Sequence, residues 1–270
     1  MSQSLQLVPM QRSHLPGGLL LSQAAGWPHR AHDWNAIYDV SKGVVGIEDG
    51  AVVATGFCTT YGDQSRLNMI IVDERMRGRG IGKRLLAELV ALAGDRPMAL
   101  VATEDGFPLY RKFGFEPQGK IEQFQGTVRT VLKIDGKVRR GDVQDLGRVL
   151  DMDRAATGVD RAELLANIVR DGQLYLADGG YAVLREFGRG KVLGPVVAAD
   201  LDLARTLVAA VAQGLEGTFL RIDTDPELGL VPTITSLGLQ LVGDGTTMFA
   251  GPRPHSHDFT AYALASQALG

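Results

Sequence analysis

Short apolar runs of strand length alternate along the chain with stretches whose apolar positions recur at helical spacing, the pattern of an α/β fold. Residues 5–8 predict a strand, and 14–25 and 31–40 predict helices parted by the breaker Gly26-Trp27-Pro28. Residues 44–47 and 52–59 predict a hairpin around Asp49-Gly50, a strong turn dipeptide. The nearly continuous apolar run 67–72 predicts a central strand covered on both faces. A glycine-rich basic stretch, 77–82, then leads into a helix over 83–93 with Leu85, Leu86, Leu89, Val90 and Leu92 on one broad face. A strand over 98–102, a short helix over 107–113 ended by Gly114, and strand material over 115–130 complete a first domain, residues 1–135.

Residues 136–270 repeat the layout. His14-Leu15 followed by Gly26 parallels Asp145-Leu146 followed by Gly158, and the turn Asp49-Gly50 parallels Asp178-Gly179. Thr103-Glu104-Asp105 with Phe113-Gly114-Phe115 parallels Thr224-Asp225-Pro226 with Leu237-Gly238-Leu239. Matches in one order argue for an internal duplication. The second copy is shorter between its central strand and the following helix: Asp73 to Arg84 spans 11 residues, and Asp200 to Arg205 only 5. The glycine loop is what that deficit removes. The tail, 259–268, predicts a helix.

Composition narrows the classes of function. Lys plus Arg number 28 against 31 Asp plus Glu, so no excess of positive charge exists to attract nucleic acid. A single cysteine, Cys58, excludes an internal disulfide and a thiolate zinc site, and fits a reducing compartment and a buried apolar role. Residues 1–10 lack the form of a targeting segment. The most apolar stretch, 192–215, is interrupted by Asp200, Asp202 and Arg205, against a membrane span. A cytoplasmic protein with no membrane partner is expected. His255-Ser256-His257-Asp258 has neither helical nor knuckle spacing for a metal and predicts a capped loop; no metal is expected.

Arg77-Gly78-Arg79-Gly80-Ile81-Gly82-Lys83 lies between a buried strand and a helix, where glycines let backbone N–H groups approach a phosphate and the helix N-terminus adds partial positive charge. It is no P-loop, because Arg77 stands where that motif begins with Gly and Arg84 where it needs Ser or Thr. The spacing of its glycines by two also misses the dinucleotide fingerprint. It does satisfy Arg/Gln-x-x-Gly-x-Gly/Ala through Arg77, Gly80 and Gly82. With Ile71-Val72-Asp73 before it and Leu109-Tyr110-Arg111-Lys112-Phe113-Gly114-Phe115 after it, the stretch resembles the GCN5-related N-acetyltransferases, the GNAT family, specifically over residues 1–135. Residues 136–270 resemble the family in layout, as a degenerate second GNAT-like domain of a tandem member.

The resemblance implies two domains, each a mixed central sheet flanked by helices, and acetyl-CoA as co-substrate in a cleft between strands 67–72 and 98–102. It implies that Ile70, Ile71 and Val72 pair with the pantetheine arm like an added strand, and that Arg77, Gly78, Arg79, Gly80, Ile81, Gly82 and Lys83 hold the pyrophosphate. Tyr110 matches the tyrosine that protonates the leaving thiolate in many members; its alternative is packing beside Phe107 and Phe113. Thr103-Glu104-Asp105 replaces the asparagine the family often places before that helix. The family's strand glutamate, often the base, is absent, leaving Asn68 on the strand and Asp73, Asp63, Glu104 and His29 as candidates, alone or through water. Trp27, His29, Asp33 and Trp34 fall where the family walls its acceptor pocket; a staple and a helix cap are the alternative. The expected function is acetyl-CoA-dependent N-acetylation of a primary amine of a small molecule or amino acid by direct transfer. The alternative is a non-catalytic acyl-CoA-binding module that uses its second half to contact a partner.

Overall fold

The computed structural model describes residues 4–130, 132–133 and 136–270, so the expected boundary at residue 135 lies outside the described residues. The first half runs β1 (Gln6–Pro9), α1 (Leu15–Ala24), α2 (Ala31–Asp39), β2 (Ser41–Glu48), β3 (Ala51–Tyr61), β4 (Gln64–Val72), α3 (Ile81–Ala93), β5 (Met98–Ala102), α4 (Phe107–Lys112) and β6 (Glu116–Thr127). The second runs β7 (Arg139–Arg140), α5 (Leu146–Thr157), α6 (Ala162–Asp171), β8 (Gln173–Ala177), β9 (Gly180–Phe187), β10 (Gly190–Ala198), α7 (Leu201–Ala212), β11 (Phe219–Thr224), α8 (Val231–Ser236) and β12 (Gln240–Ala250), with β13 (Thr260–Ala263) added at the end. Up to β13 the two halves present the same elements in the same order, and the duplication legible in the sequence is a duplication of fold.

The halves are not self-contained. Among the described residues the strands form one sheet, ordered β1-β2-β3-β4-β5-β12-β6-β11-β10-β9-β8-β7, with β13 on β10. Each half's last long strand has crossed over: β12 pairs with β5, and β6 pairs with β11. The exchange is built into the cores. Met248 of β12 is fully buried among Leu67, Leu100, Ala102 and Phe115 of the first half, and Phe124 of β6 joins Leu193, Leu220 and Ile222 of the second. Each such side chain is worth about 1.5–3 kcal/mol of burial, gained only against the other half.

Alternation along the strands distributes side chains between the two faces. Val45, Phe57 and Ile71 enter a core shared by the α1/α2 and α5/α6 pairs of both halves, whereas Val44, Ala54 and Val72 face α3. The strand predicted at 67–72 is therefore covered on both sides, as its apolar run required. Val197 joins the shared core from the second half. Cys58 is buried, and burial pushes its thiol up. The tail differs from expectation: residues 260–263 form a strand, not a helix, because β10 offers an unpaired edge and pairing the backbone there outweighs the helix propensity of the alanines, which amounts to less than about 1 kcal/mol per residue.

Candidate active site

β4 and β5 run parallel but pair only at Ser65–Met98 and Arg66–Ala99, after which they diverge and leave the β5-facing edge of β4 without a ladder. The divergence begins at a bulge. Thr55 of β3 opposes Ile71, and Phe57 opposes Asn68, so β4 carries one residue more than β3 over this stretch. Met69 absorbs it with φ 48, a conformation that a non-glycine residue holds only under constraint, and Thr55 Oγ1 donates to the Met69 carbonyl at 3.1 Å to fix it. Ile70 and Val72 thus flank an open groove.

The groove leads to the glycine loop. Gly78 and Gly80 have φ 78 and 74, and Gly80 is the left-handed N-cap of α3, so the chain turns sharply there and its amides point outward. Among the described residues, no protein acceptor takes the N–H groups of Gly78 to Lys83. Arg77 and Arg79 are held at the rim by Asp105 (3.2 Å) and Glu48 (2.5 Å). At Gly82 a Cβ would lie 3.4 Å from Leu109 and 3.8 Å from Val72, so the bare helix start lies against the mouth of the groove. Free amides, a helix N-terminus and basic side chains suit a pyrophosphate.

At the inner end of the groove lies a cavity of about 330 Å³. Tyr110 lines it from α4, where its ring rests on Gly106 and meets Phe115 edge-on at 6.2 Å. Among the described residues its hydroxyl has no hydrogen-bond partner, and burial pushes its pKa up to about 12. Trp27 and His29 line the cavity, with His29 edge-on to Trp27 and to Phe187 of the second half. His29 Nδ1 is buried without a partner.

Asp33 and Trp34 are corrections. Trp34 is fully buried against Phe57 and donates its indole N–H to Ser22, because Trp34 and Ile37 share the apolar face of α2. Asp33 is buried as a cap, accepting from the backbone N–H of Arg30 and Gly188 and from the Arg30 guanidinium. Neither lines the cavity. Asp73 caps the turn after β4, and its bond to Arg75 holds its carboxyl below the usual range; Asp63 and Glu104 are exposed on turns outside the cavity lining. Asn68 does line the cavity, with Oδ1 unpartnered. Gln123, Phe187, Arg221 and Gln267, which also line it, come from β6 and the second half and carry no motif in the sequence.

Burial, with Arg221 adding to it, lowers the His29 pKa from 6.5 to about 4, so the imidazole is neutral in the folded protein at pH 7. The unfolded chain then binds the extra proton between those two values. The stability this group confers is present above about pH 6.5 and is lost as pH falls toward 4, a loss of about 2 kcal/mol between pH 7 and 5. Urea unfolding at these two pH values should show that loss in the native protein. In His29→Gln the difference should shrink by most of it, and an undiminished difference would remove His29 as its source.

Two acetyltransferase (GNAT) domain models match the chain, one over residues 40–117 and one over 149–263, together more than half of it. An N-acetyltransferase of Bacillus subtilis, YitH, itself uncharacterized, is 25% identical over 98% of both chains. A crystal structure from Pyrococcus horikoshii superposes with a TM-score of 0.85 over 99% of this chain and 96% of that one, at 18% identity. A tandem GNAT protein from the clavulanic acid biosynthesis pathway superposes with a TM-score of 0.64 over 92% and 99%, at 15% identity. Among the described residues no helix is long and apolar enough to cross a membrane. A GNAT match in each half, on a mixed sheet that carries the splayed strands and amide-lined loop, settles the family: the chain belongs to the GNAT acetyltransferases as a tandem member and is an N-acetyltransferase.

Proposed function

We propose that the first half binds acetyl-CoA along the open edge of β4 and that the enzyme transfers the acetyl group directly to a primary amine of a small molecule or amino acid held in the Tyr110 cavity. The observation that carries this is continuity. The unpaired edge at Ile70 to Val72, the free amides from Gly78 to Lys83 and the cavity containing Tyr110 form one path. Backbone groups of Ile70, Ile71 and Val72 would hold the pantetheine arm, and the loop amides with Arg77, Arg79 and Lys83 the pyrophosphate.

Bound acetyl-CoA supplies an acetyl thioester as electrophile and a thiolate as leaving group. The protein holds the amine against it, which removes the entropy of bringing two reactants together. A backbone N–H near Val72, on the edge left open where β4 parts from β5, donates to the carbonyl oxygen as it gains charge. As the N–C bond forms and the C–S bond breaks, Tyr110 gives its Oη proton to the departing sulfur, and the proton released by the acceptor nitrogen returns to Tyr110 through water. An imidazole held at about 4 is too weak a base to retain a proton from an ammonium near pKa 10, so the acceptor loses its proton to water and His29 serves as a neutral wall.

The test is at Gly82. In Gly82→Val the added methyls occupy the space beside Leu109 and Val72 and cover the loop amides, while φ at this position is ordinary and α3 persists. The Kd for acetyl-CoA should rise at least about tenfold, or about 1.4 kcal/mol. Unchanged affinity by calorimetric titration, with circular dichroism intact, would overturn the loop as the phosphate site.

A further inference from the structure

Arg221 of β11 and Arg185 of β9 each lie opposite Val192 of the intervening strand, so both guanidinium groups stand on one face of the sheet. Both lie over the ring of Phe187, at 5.2 and 5.0 Å. Arg221 lines the cavity and is nearly buried, its side chain 8% exposed. Asp223 accepts from its Nε and Nη2 at 2.7–3.1 Å and fixes the plane of the fork, and among the described residues Nη1 has no hydrogen-bond partner. A guanidinium clamped on one edge with a free donor pair on the other is prepared for an acceptor from the cavity side.

The charge around it is not balanced. Asp33 is committed to Arg30, and Asp223 to Arg221. Glu186 is exposed and shared between Lys191 and Arg30. Arg185 has no carboxylate among the described residues: Nη2 donates to the Ala265 carbonyl at 2.6 Å, and Nε is buried with no partner at all. Three guanidinium groups thus face two buried carboxylates, next to a cavity whose remaining lining is aromatic or neutral apart from Asp244. That carboxylate is half exposed and paired with Lys120. Burial pushes the Arg185 pKa down to about 10, which leaves it charged at neutral pH. Asp33 and Asp223 act on Arg185 only at a distance, and a buried cation without a paired carboxylate is costly, a cost that an anion brought into the adjoining cavity would offset.

We infer that the acceptor amine also carries a carboxylate, which Arg221 receives in the cavity while the Phe187, Trp27 and His29 rings take its apolar body. This rests on the acetyltransferase function proposed above and narrows its acceptor to the amino acid class. It also gives the second half a direct part in the chemistry, because Arg221, Arg185 and Phe187 all come from it.

The experiment follows acetyl transfer to the common L-α-amino acids, each beside its primary amide and its decarboxylated amine, with rates referred to the unprotonated fraction of each amine. Acetyl-CoA binding is measured separately by calorimetry. The best acid should exceed its amide by about 30-fold or more in kcat/KM, since a lost charge-assisted contact of this kind is worth about 2 kcal/mol or more. Arg221→Lys, which keeps a cation for Asp223 but loses the fork, should erase most of that ratio while acetyl-CoA affinity stays unchanged. Arg185→Met, which removes the unpaired cation without stranding a carboxylate, should lower it too. Amides or simple amines turned over as fast as the acids would overturn the carboxylate and leave the acetyltransferase function standing. Absent acetyl-CoA binding would instead overturn the function on which it rests.

Discussion

Tyr110→Phe is expected to lower kcat and kcat/KM together by about 100-fold, leaving acetyl-CoA affinity and stability nearly unchanged. The hydroxyl has no partner among the described residues, so its removal breaks no hydrogen bond there, and the ring keeps its contacts with Gly106 and Phe115. Stability should therefore move by less than about 0.5 kcal/mol. What is lost is a proton donor at the cavity. A phenol at about 12 looks mismatched to a thiol of ordinary pKa near 8.5. The same burial that raises the phenol raises a thiolate expelled beside it, as it raises Cys58, so the gap stays close to its solution size. A further consequence concerns pH. Tyr110 remains protonated to about pH 12, so its ionisation should produce no fall in kcat between pH 7 and 10. Steady-state kinetics with calorimetry checks both points, and near-full turnover in the variant would return Tyr110 to a packing role.

The parts of this enzyme that were legible in the sequence are those fixed by local chemistry. The Asp49-Gly50 turn, the doubly covered β4 and the glycine loop each follow from residues within a few positions of one another. Trp34 and Ile37 at helical spacing mark the buried face of α2, a local signal that separates Trp34 from its sequence neighbour Trp27. Pairing partners are a different matter. The alternation in β6 and β12 shows that each is a strand with one covered face, but identical local patterns permit pairing within a half or across halves. The crossing decides which residues reach the cavity. Phe187 and Arg221 lie 77 and 111 residues beyond Tyr110 in the sequence and line the same cavity only because the strands of both halves join in one sheet. The tail was illegible for the same reason: residues 260–263 are a strand because β10 needs a partner.

That tail bears on the last expectation, that each chain binds one acetyl-CoA and not two. Lys191 and Val192 of β10 pair with β11 as Ser65 and Arg66 of β4 pair with β5, which places Val196, Val197 and Ala198 at the positions of Ile70, Ile71 and Val72. Both strands carry a bulge just before those residues. In the first half the edge beyond the bulge is open. In the second it is paired: Ala263, Ala261 and Thr260 of β13 lie against Val196, Val197 and Ala198, and the Leu264 N–H reaches across to the Asp223 carbonyl on β11. Gly194 makes the close approach feasible, since a Cβ there would lie 1.9 Å from the Leu264 carbonyl oxygen. The pyrophosphate end is closed as well. Only Ala199 and Asp200 connect β10 to α7, and the Asp200 carboxylate takes the Leu203 N–H at 2.8 Å, with Asp202 beside it. The helix N-terminus that would serve an anion is already served by one, and a second repels any phosphate brought there. Calorimetric titration should therefore give one equivalent of acetyl-CoA per chain, and Gly82→Val should weaken that single site. A second equivalent would show that the second cleft opens to the ligand despite the strand lying in it.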